Sequence, residues 1–292
     1  MLAMLRKELS DYFNSTRFLV MFLLVMALSA LTLFTASNQI RGAGSQGFLF
    51  LKLYTLEPTD WPFSFLFNYV NFIPLVFIPL FSIVLGFDAI NRERSSGTLN
   101  RILSQPVYRD SVINGKFLGS FMVLAIIMIS SILIIAGFGI RMIGVPPASE
   151  EIVRLFFYLV FTLIYGAFWI SLSILFSIIF RNLATSIICS ILVWLVLSFG
   201  LLVLAMVADD TAILNFSPNW LFGQASSMML FPTVRTMGTL TAEQTAFMVP
   251  NPLSLGQSLL VIWPYIVGLV SLSSICFAAS YIVFMKQEIR ST

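Results

Sequence analysis

The sequence predicts an all-α polytopic membrane protein, with six transmembrane helices preceded by an N-terminal amphipathic helix at the interface. Three observations predict it. Of 292 residues, 59% are hydrophobic and only 10% are charged, whereas a water-soluble domain carries about a quarter charged residues. The apolar residues gather in long runs between charges, each able to supply the ~20 residues that cross ~30 Å of hydrocarbon. The Lys and Arg residues also divide unevenly between the two sets of connections, as membrane topology requires.

Taken in order, the interfacial helix covers 2–16. Leu2, Leu5, Leu9, Tyr12 and Phe13 recur at helical spacing, and Arg6, Lys7, Glu8, Ser10, Asp11 and Asn14 occupy the remaining positions. The first span, 18–38, is expected to stay in the protein: its apolar run is longer than a signal h-region, and Phe34 stands where a cleavage site needs a small residue. The second, 65–87, carries Pro74 and Pro79, with Asn68 and Asn71 at its outer end, and reads as a kinked helix whose opened carbonyls are met by neighbours. The remaining spans cover 117–140, 155–180, 183–207 and 259–285.

Outside the membrane, the first connection runs from Asn38 to about Trp61 and contains Gly42, Gly44 and Gly47 before an apolar patch from Phe48 to Leu56. The second is a Pro146-Pro147 turn, and the third is the long outer loop 209–257. The stretch Asp210 to Arg235 is nearly uncharged, but Asn215, Ser217, Pro218, Asn219, Gly223 and Gln224 make it too polar for a lipid-facing span. It reads as a loop dipping into the membrane surface, with Trp220-Leu221-Phe222 and Met228 to Phe231 packed on the membrane face or capping a cavity. The whole chain, 1–292, forms one membrane domain, without an internal repeat to suggest an inverted-repeat transporter.

Eleven basic residues fall on one side: Arg6, Lys7, Arg17, Arg92, Arg94, Arg101, Arg109, Lys116, Arg181, Lys286 and Arg290. Five fall on the other: Arg41, Lys52, Arg141, Arg154 and Arg235. The first side is therefore cytoplasmic, both termini lie there, and the host is the plasma (inner) membrane. A net charge of +3 is too small and too local for a nucleic-acid partner.

The sequence contains no histidine, which removes His-ligated metal centres and Ser-His or Cys-His nucleophiles. Cys189 and Cys276 lie in apolar runs as small filler, and the 13 Met are scattered along apolar helices rather than grouped as copper ligands. Glu150-Glu151-Ile152-Val153-Arg154 is one residue short of the Glu-Glu-x-x-x-Arg of prenyl-protein-type membrane proteases, whose histidines are also missing. The chain is not expected to be an enzyme by itself, and no cofactor, metal or catalytic residue is assigned.

The six spans as drawn hold no Asp, Glu, Lys or Arg, which argues against a self-sufficient proton-driven carrier. An ATP-independent secondary transporter or channel is the alternative, distinguished by function in liposomes without any ATPase. Gly115-Lys116 is followed by Phe117 and lacks the earlier glycine of a phosphate-cradling loop. Any ATP is used by a partner.

Charge and special residues concentrate in the cytoplasmic connection 88–116. A short helix from about Thr98 to Ser104 follows a break at Gly97 and stops before Pro106. It presents Leu99, Ile102 and Leu103 on one side and Arg101 on the other, a compact knob able to fill a cleft.

At these residues the chain resembles the permease subunits of ATP-binding-cassette (ABC) transporters of the type-2 exporter family. The resemblance rests on Glu93, Ser96-Gly97-Thr98-Leu99, Pro106-Val107-Tyr108-Arg109 and Gly115-Lys116, and extends over the span layout to Phe284-Met285-Lys286-Gln287-Glu288-Ile289-Arg290. It implies a dimer of permeases in membrane lipid, each setting its knob into a groove on a separate ATPase subunit. By that likeness the coupling residues are Glu93, Gly97, Thr98, Leu99, Arg101, Ile102, Leu103, Pro106, Arg109 and Lys116. Gly97 permits the turn, Leu99, Ile102 and Leu103 are the buried contacts, and Arg92, Arg94, Arg101 and Arg109 meet the partner's acidic rim. The arginines equally serve positive-inside topology and lipid phosphates. The Phe-rich spans suit an amphipathic or hydrophobic cargo, although lipid contact alone demands the same composition.

Overall fold

A computed structural model describes residues 2–42, 48–55, 73–98, 108–144, 146–231 and 253–286. Helix α1 (Leu2–Phe13) leads by a tight turn into α2 (Thr16–Gly42), and a short α3 (Leu49–Thr55) follows. A π turn (Ile73–Phe77) opens α4 (Ile78–Gly86), and a one-turn α5 (Asn91–Ser95) stands beyond it. The long α6 (Arg109–Ile143) and α7 (Ser149–Ile179) come next, then α8 (Leu183–Leu195), continued through a π turn (Val196–Gly200) into α9 (Leu201–Ala208). A 3-10 turn (Thr211–Phe216), α10 (Pro218–Leu230) and α11 (Leu255–Lys286) complete the chain. Among the described residues there is no strand, and six helices are long and apolar enough to cross a membrane.

The helix ends follow from local chemistry. Glu150 and Glu151 occupy the first turn of α7, where negative charge opposes the helix dipole, and Glu151 Oε2 accepts the Ala148 N–H at 2.7 Å. Asn182 caps α8 by accepting the Ala184 N–H at 3.0 Å. Helix α6 stops at Gly144, whose φ of 80° is left-handed.

Helix α7 is the axis of the molecule. Tyr158, Tyr165 and Trp169 on it are buried, and α4, α6, α8, α10 and α11 pack around it. At the α4 crossing a Cβ on Gly86 would stand 2.8 Å from Ser173 Cβ and 3.1 Å from the Ile170 carbonyl, so glycine sets the approach. Serines supply hydrogen bonds that lipid cannot: Ser173 donates to Ile83 O (3.0 Å), Ser280 to Ser171 O (3.0 Å) and Ser273 to Ile164 O (3.2 Å). Helices α2, α8, α9 and α11 leave long apolar faces uncovered, with Leu19, Leu23, Leu192, Val203, Leu260 and Ile275 exposed.

Three expectations change. The polar stretch after Asp210 is not simply a surface loop: residues 218–230 form α10, whose Leu221, Phe222, Met228 and Met229 are buried against α7 and α11. The apolar patch after Phe48 contains α3, seated in the bundle by Phe50, Leu51, Leu53 and Tyr54. Glu8, expected on the polar side of α1, lies on its buried side with Met4, because a lysine far along the chain meets it there. Asn68 and Asn71 lie outside the described residues.

Candidate functional site

The C-terminal end of α4 turns sharply after Gly86. The Ser177 hydroxyl on α7 accepts the N–H groups of Ile90 (3.0 Å) and Asn91 (3.2 Å), anchoring the turn where its amides would otherwise go unmet. Asp88 pairs with Arg17 at the foot of α2, at 2.5 Å. Tyr12 of α1 donates to Leu85 O at 2.7 Å and lies 2.9 Å from the Ser120 hydroxyl.

Beneath this turn lies a compact ion cluster. Lys116 of α6 is only 3% exposed, and its ammonium sits 2.9 Å from Glu93 Oε1 and 3.1 Å from Glu8 Oε1. Lys7 reaches Glu93 Oε1 at 3.0 Å and lies 3.8 Å from Asp11. Partial burial pulls the Lys7 pKa down, but the charge and hydrogen bond of Glu93, aided by Glu8 and Asp11, more than offset this and raise it above the ordinary lysine value. Helix α1 can settle onto α6 because glycines receive it: a Cβ on Gly115 would meet Met4 Cγ at 2.8 Å, and one on Gly119 would meet Glu8 Cβ at 2.9 Å.

Above the cluster, Arg92, Ser95, Ser96, Gly97 and Thr98 are exposed. Gly97 has a φ of 71°, and nothing stands within 4 Å of a Cβ built on it, so backbone conformation rather than space requires glycine. The Thr98 hydroxyl donates to Glu93 O at 3.3 Å and lies 2.8 Å from that of Ser96. Arg94 turns back toward Ile178 O (3.5 Å), while Arg109 opens α6, partly buried. Glu93 and Lys116 thus face inward and engage each other, so they hold the base of the connection and are not presented on its surface. Leu99, Arg101, Ile102, Leu103 and Pro106 lie outside the described residues.

A family model described as "ABC-2 family transporter protein" matches residues 2–289. The chain belongs to the ABC-2 transporter family. No curated protein matches it. Membership makes this ABC-2 protein the permease subunit of an ABC transporter and implies an ABC ATPase as its partner.

Sequence reasoning missed three features of this permease. Gly115 and Gly119 are one helical turn apart on the face that receives α1, a spacing visible in the sequence. Glu8 has no such signal, because its partner is 108 positions away. The third lies at the other end of α7, where Arg154, fully buried, binds Glu150 Oε1 (2.7 Å), Met229 O (3.1 Å), Leu253 O (2.7 Å) and Ser258 Oγ (3.3 Å). Its guanidinium also stands 5.6 Å from the centre of the Phe48 ring, and Glu151 accepts the Phe50 N–H at 3.0 Å. The Glu150 to Arg154 segment therefore joins α3, α7, α10 and the start of α11.

Proposed function

We propose that this permease is the translocating subunit of an exporter, in which two copies each set the connection 88–116 into a groove on a separate ATPase subunit. The observation that supports this most is the division of the connection into a held base and a presented crest. Glu93 is fixed to α6 by a buried ion pair with Lys116 and to α1 by a pair with the half-exposed Lys7, while Arg92, Ser95, Ser96 and Thr98 are exposed next to it. A push on the crest as the ATPase dimer closes on ATP passes through that base into α1, α4 and α6, and from α4 into the central α7.

Leu99, Ile102 and Leu103 supply the apolar contact with the ATPase, and Pro106 ends the knob. Arg92, Arg101 and Arg109 meet an acidic rim, with Arg94 held closer to the base by Ile178 O. ATP is hydrolysed on the partner, since the chain contains no phosphate-cradling loop. The uncovered faces of α2, α8, α9 and α11 meet lipid and the second copy. The eleven-to-five basic bias favours cytoplasmic termini in the plasma membrane.

Purification of the chain from its native membrane tests the reading. An ABC ATPase should coelute, and the isolated permease should show no ATP binding by equilibrium dialysis. Tight ATP binding by the isolated chain contradicts it.

A further inference from the structure

Where α8 passes into the π turn Val196–Gly200 and α10 begins lies a set of buried hydrogen-bonding groups without partners. Trp169 precedes the end of α7 by about ten residues and Trp194 follows the start of α8 by about eleven, so at ~1.5 Å per residue both stand ~15–17 Å from the connecting turn. That depth is near the middle of a ~30 Å hydrocarbon layer, where water cannot compensate a polar group. Trp194 Nε1, Ser198 Oγ and Asn219 Nδ2 are buried with no hydrogen-bond partner, while Trp169, edge-on to Tyr165, has that residue's hydroxyl as its partner. Asn219 belongs to α10 and accepts the Tyr165 hydroxyl through Oδ1, while Phe222, one turn on, stacks on the Tyr165 ring at 4.9 Å.

The chemistry of this set is one-sided. One indole N–H and one amide NH2 can only donate, and Ser198 can donate as well. Phe199 stands against Trp194, and Phe222 against Tyr165. Orphaned donors in such a place call for an explanation, and the group they fit is a neutral acceptor oxygen on an apolar body.

Helix α10, which carries Asn219, is tied at both ends. At its start the Ser217 hydroxyl donates to Leu197 O at 2.7 Å, a carbonyl within the π turn Val196–Gly200. At its end Arg154 holds Met229 O. Such π turns occur frequently at functional sites.

We propose that the junction of α8, the π turn after it and α10, around Trp194, Ser198 and Asn219, is a cargo-contact site for a neutral amphipathic molecule bearing ester, ether or amide oxygens, with α10 as its displaceable cover. The inference rests on the transporter reading above and gives that reading a cargo class.

The test uses the permease copurified with its ATPase and placed in lipid nanodiscs. ATP hydrolysis is followed against methyl palmitate, with heptadecane and hexadecylamine as comparators lacking the acceptor oxygens. Methyl palmitate alone should stimulate. Ser198→Ala and Trp194→Phe should each raise its half-maximal concentration about five-fold, the worth of one neutral hydrogen bond. Ser198→Thr, which keeps the hydroxyl, should return the parent value. Unchanged half-maximal concentrations in both variants overturn the site while leaving the transporter reading intact. Stimulation by heptadecane equal to that by the ester, or none by the ester, overturns the proposed cargo chemistry. If no ATPase copurifies, the transporter reading falls and this inference falls with it.

Discussion

Lys116 pairs with two carboxylates from two different elements, Glu8 on α1 and Glu93 on α5. Replacing it with Met leaves both acids buried, with only the half-exposed Lys7 as countercharge. Breaking one side of a buried pair costs about 3–5 kcal/mol, so Lys116→Met should lower the thermal midpoint in nanodiscs sharply. Adding Glu8→Gln should recover part of the loss, because one stranded charge is removed. At Gly97 the constraint is conformational: a β-branched residue at its φ of 71° meets strain of about 1–3 kcal/mol. Gly97→Val should therefore insert and bind ATPase but transport less per ATP hydrolysed. Gly97→Asn, whose side chain tolerates this backbone region, should stay near the parent in the same coupled assay.

At the scale of elements, α1 depends on the close approach that Gly115 and Gly119 allow. Gly119→Val places a branched side chain against Glu8 Cβ, already 2.9 Å from where a Cβ would stand. Overpacking of this kind costs about 1–3 kcal/mol. The variant should expose α1 to limited proteolysis while leaving span insertion unchanged, and protection equal to the parent's would show that α1 is held by something else. The amphipathic character of α1 was legible in the spacing of Leu5, Leu9 and Tyr12. The side on which Glu8 lies was not, because a buried carboxylate depends on a distant cation that periodicity does not detect. Helix α10 was hidden for a related reason. Its Asn219 and Ser217 look like loop residues until Tyr165 and Leu197 receive them, although Ser217-Pro218 is a serviceable N-cap and first-turn pair. Of the buried Arg154 knot only the i,i+4 pair with Glu150 was visible, since its other acceptors are the carbonyls of Met229 and Leu253 and the hydroxyl of Ser258.

For the whole molecule, the all-helical class and the six crossings were legible because bilayer thickness imposes itself on the sequence directly. Sidedness rests on the basic bias alone and has a direct test. Ser95, exposed on α5, changed to Cys should react only with reagents that enter the cytoplasm, and labelling in intact cells by an impermeant reagent would invert the topology. In the proposed mechanism the connection 88–116 joins this ABC-2 permease to its ATPase. Copurification of the ATPase with Leu99→Asp tests it most directly, since the substitution puts a charge into the apolar contact while sparing the lipid-packed spans. The expected result is a permease that inserts and dimerises but loses both the ATPase and transport. Full ATPase recovery with parent-level transport would contradict it.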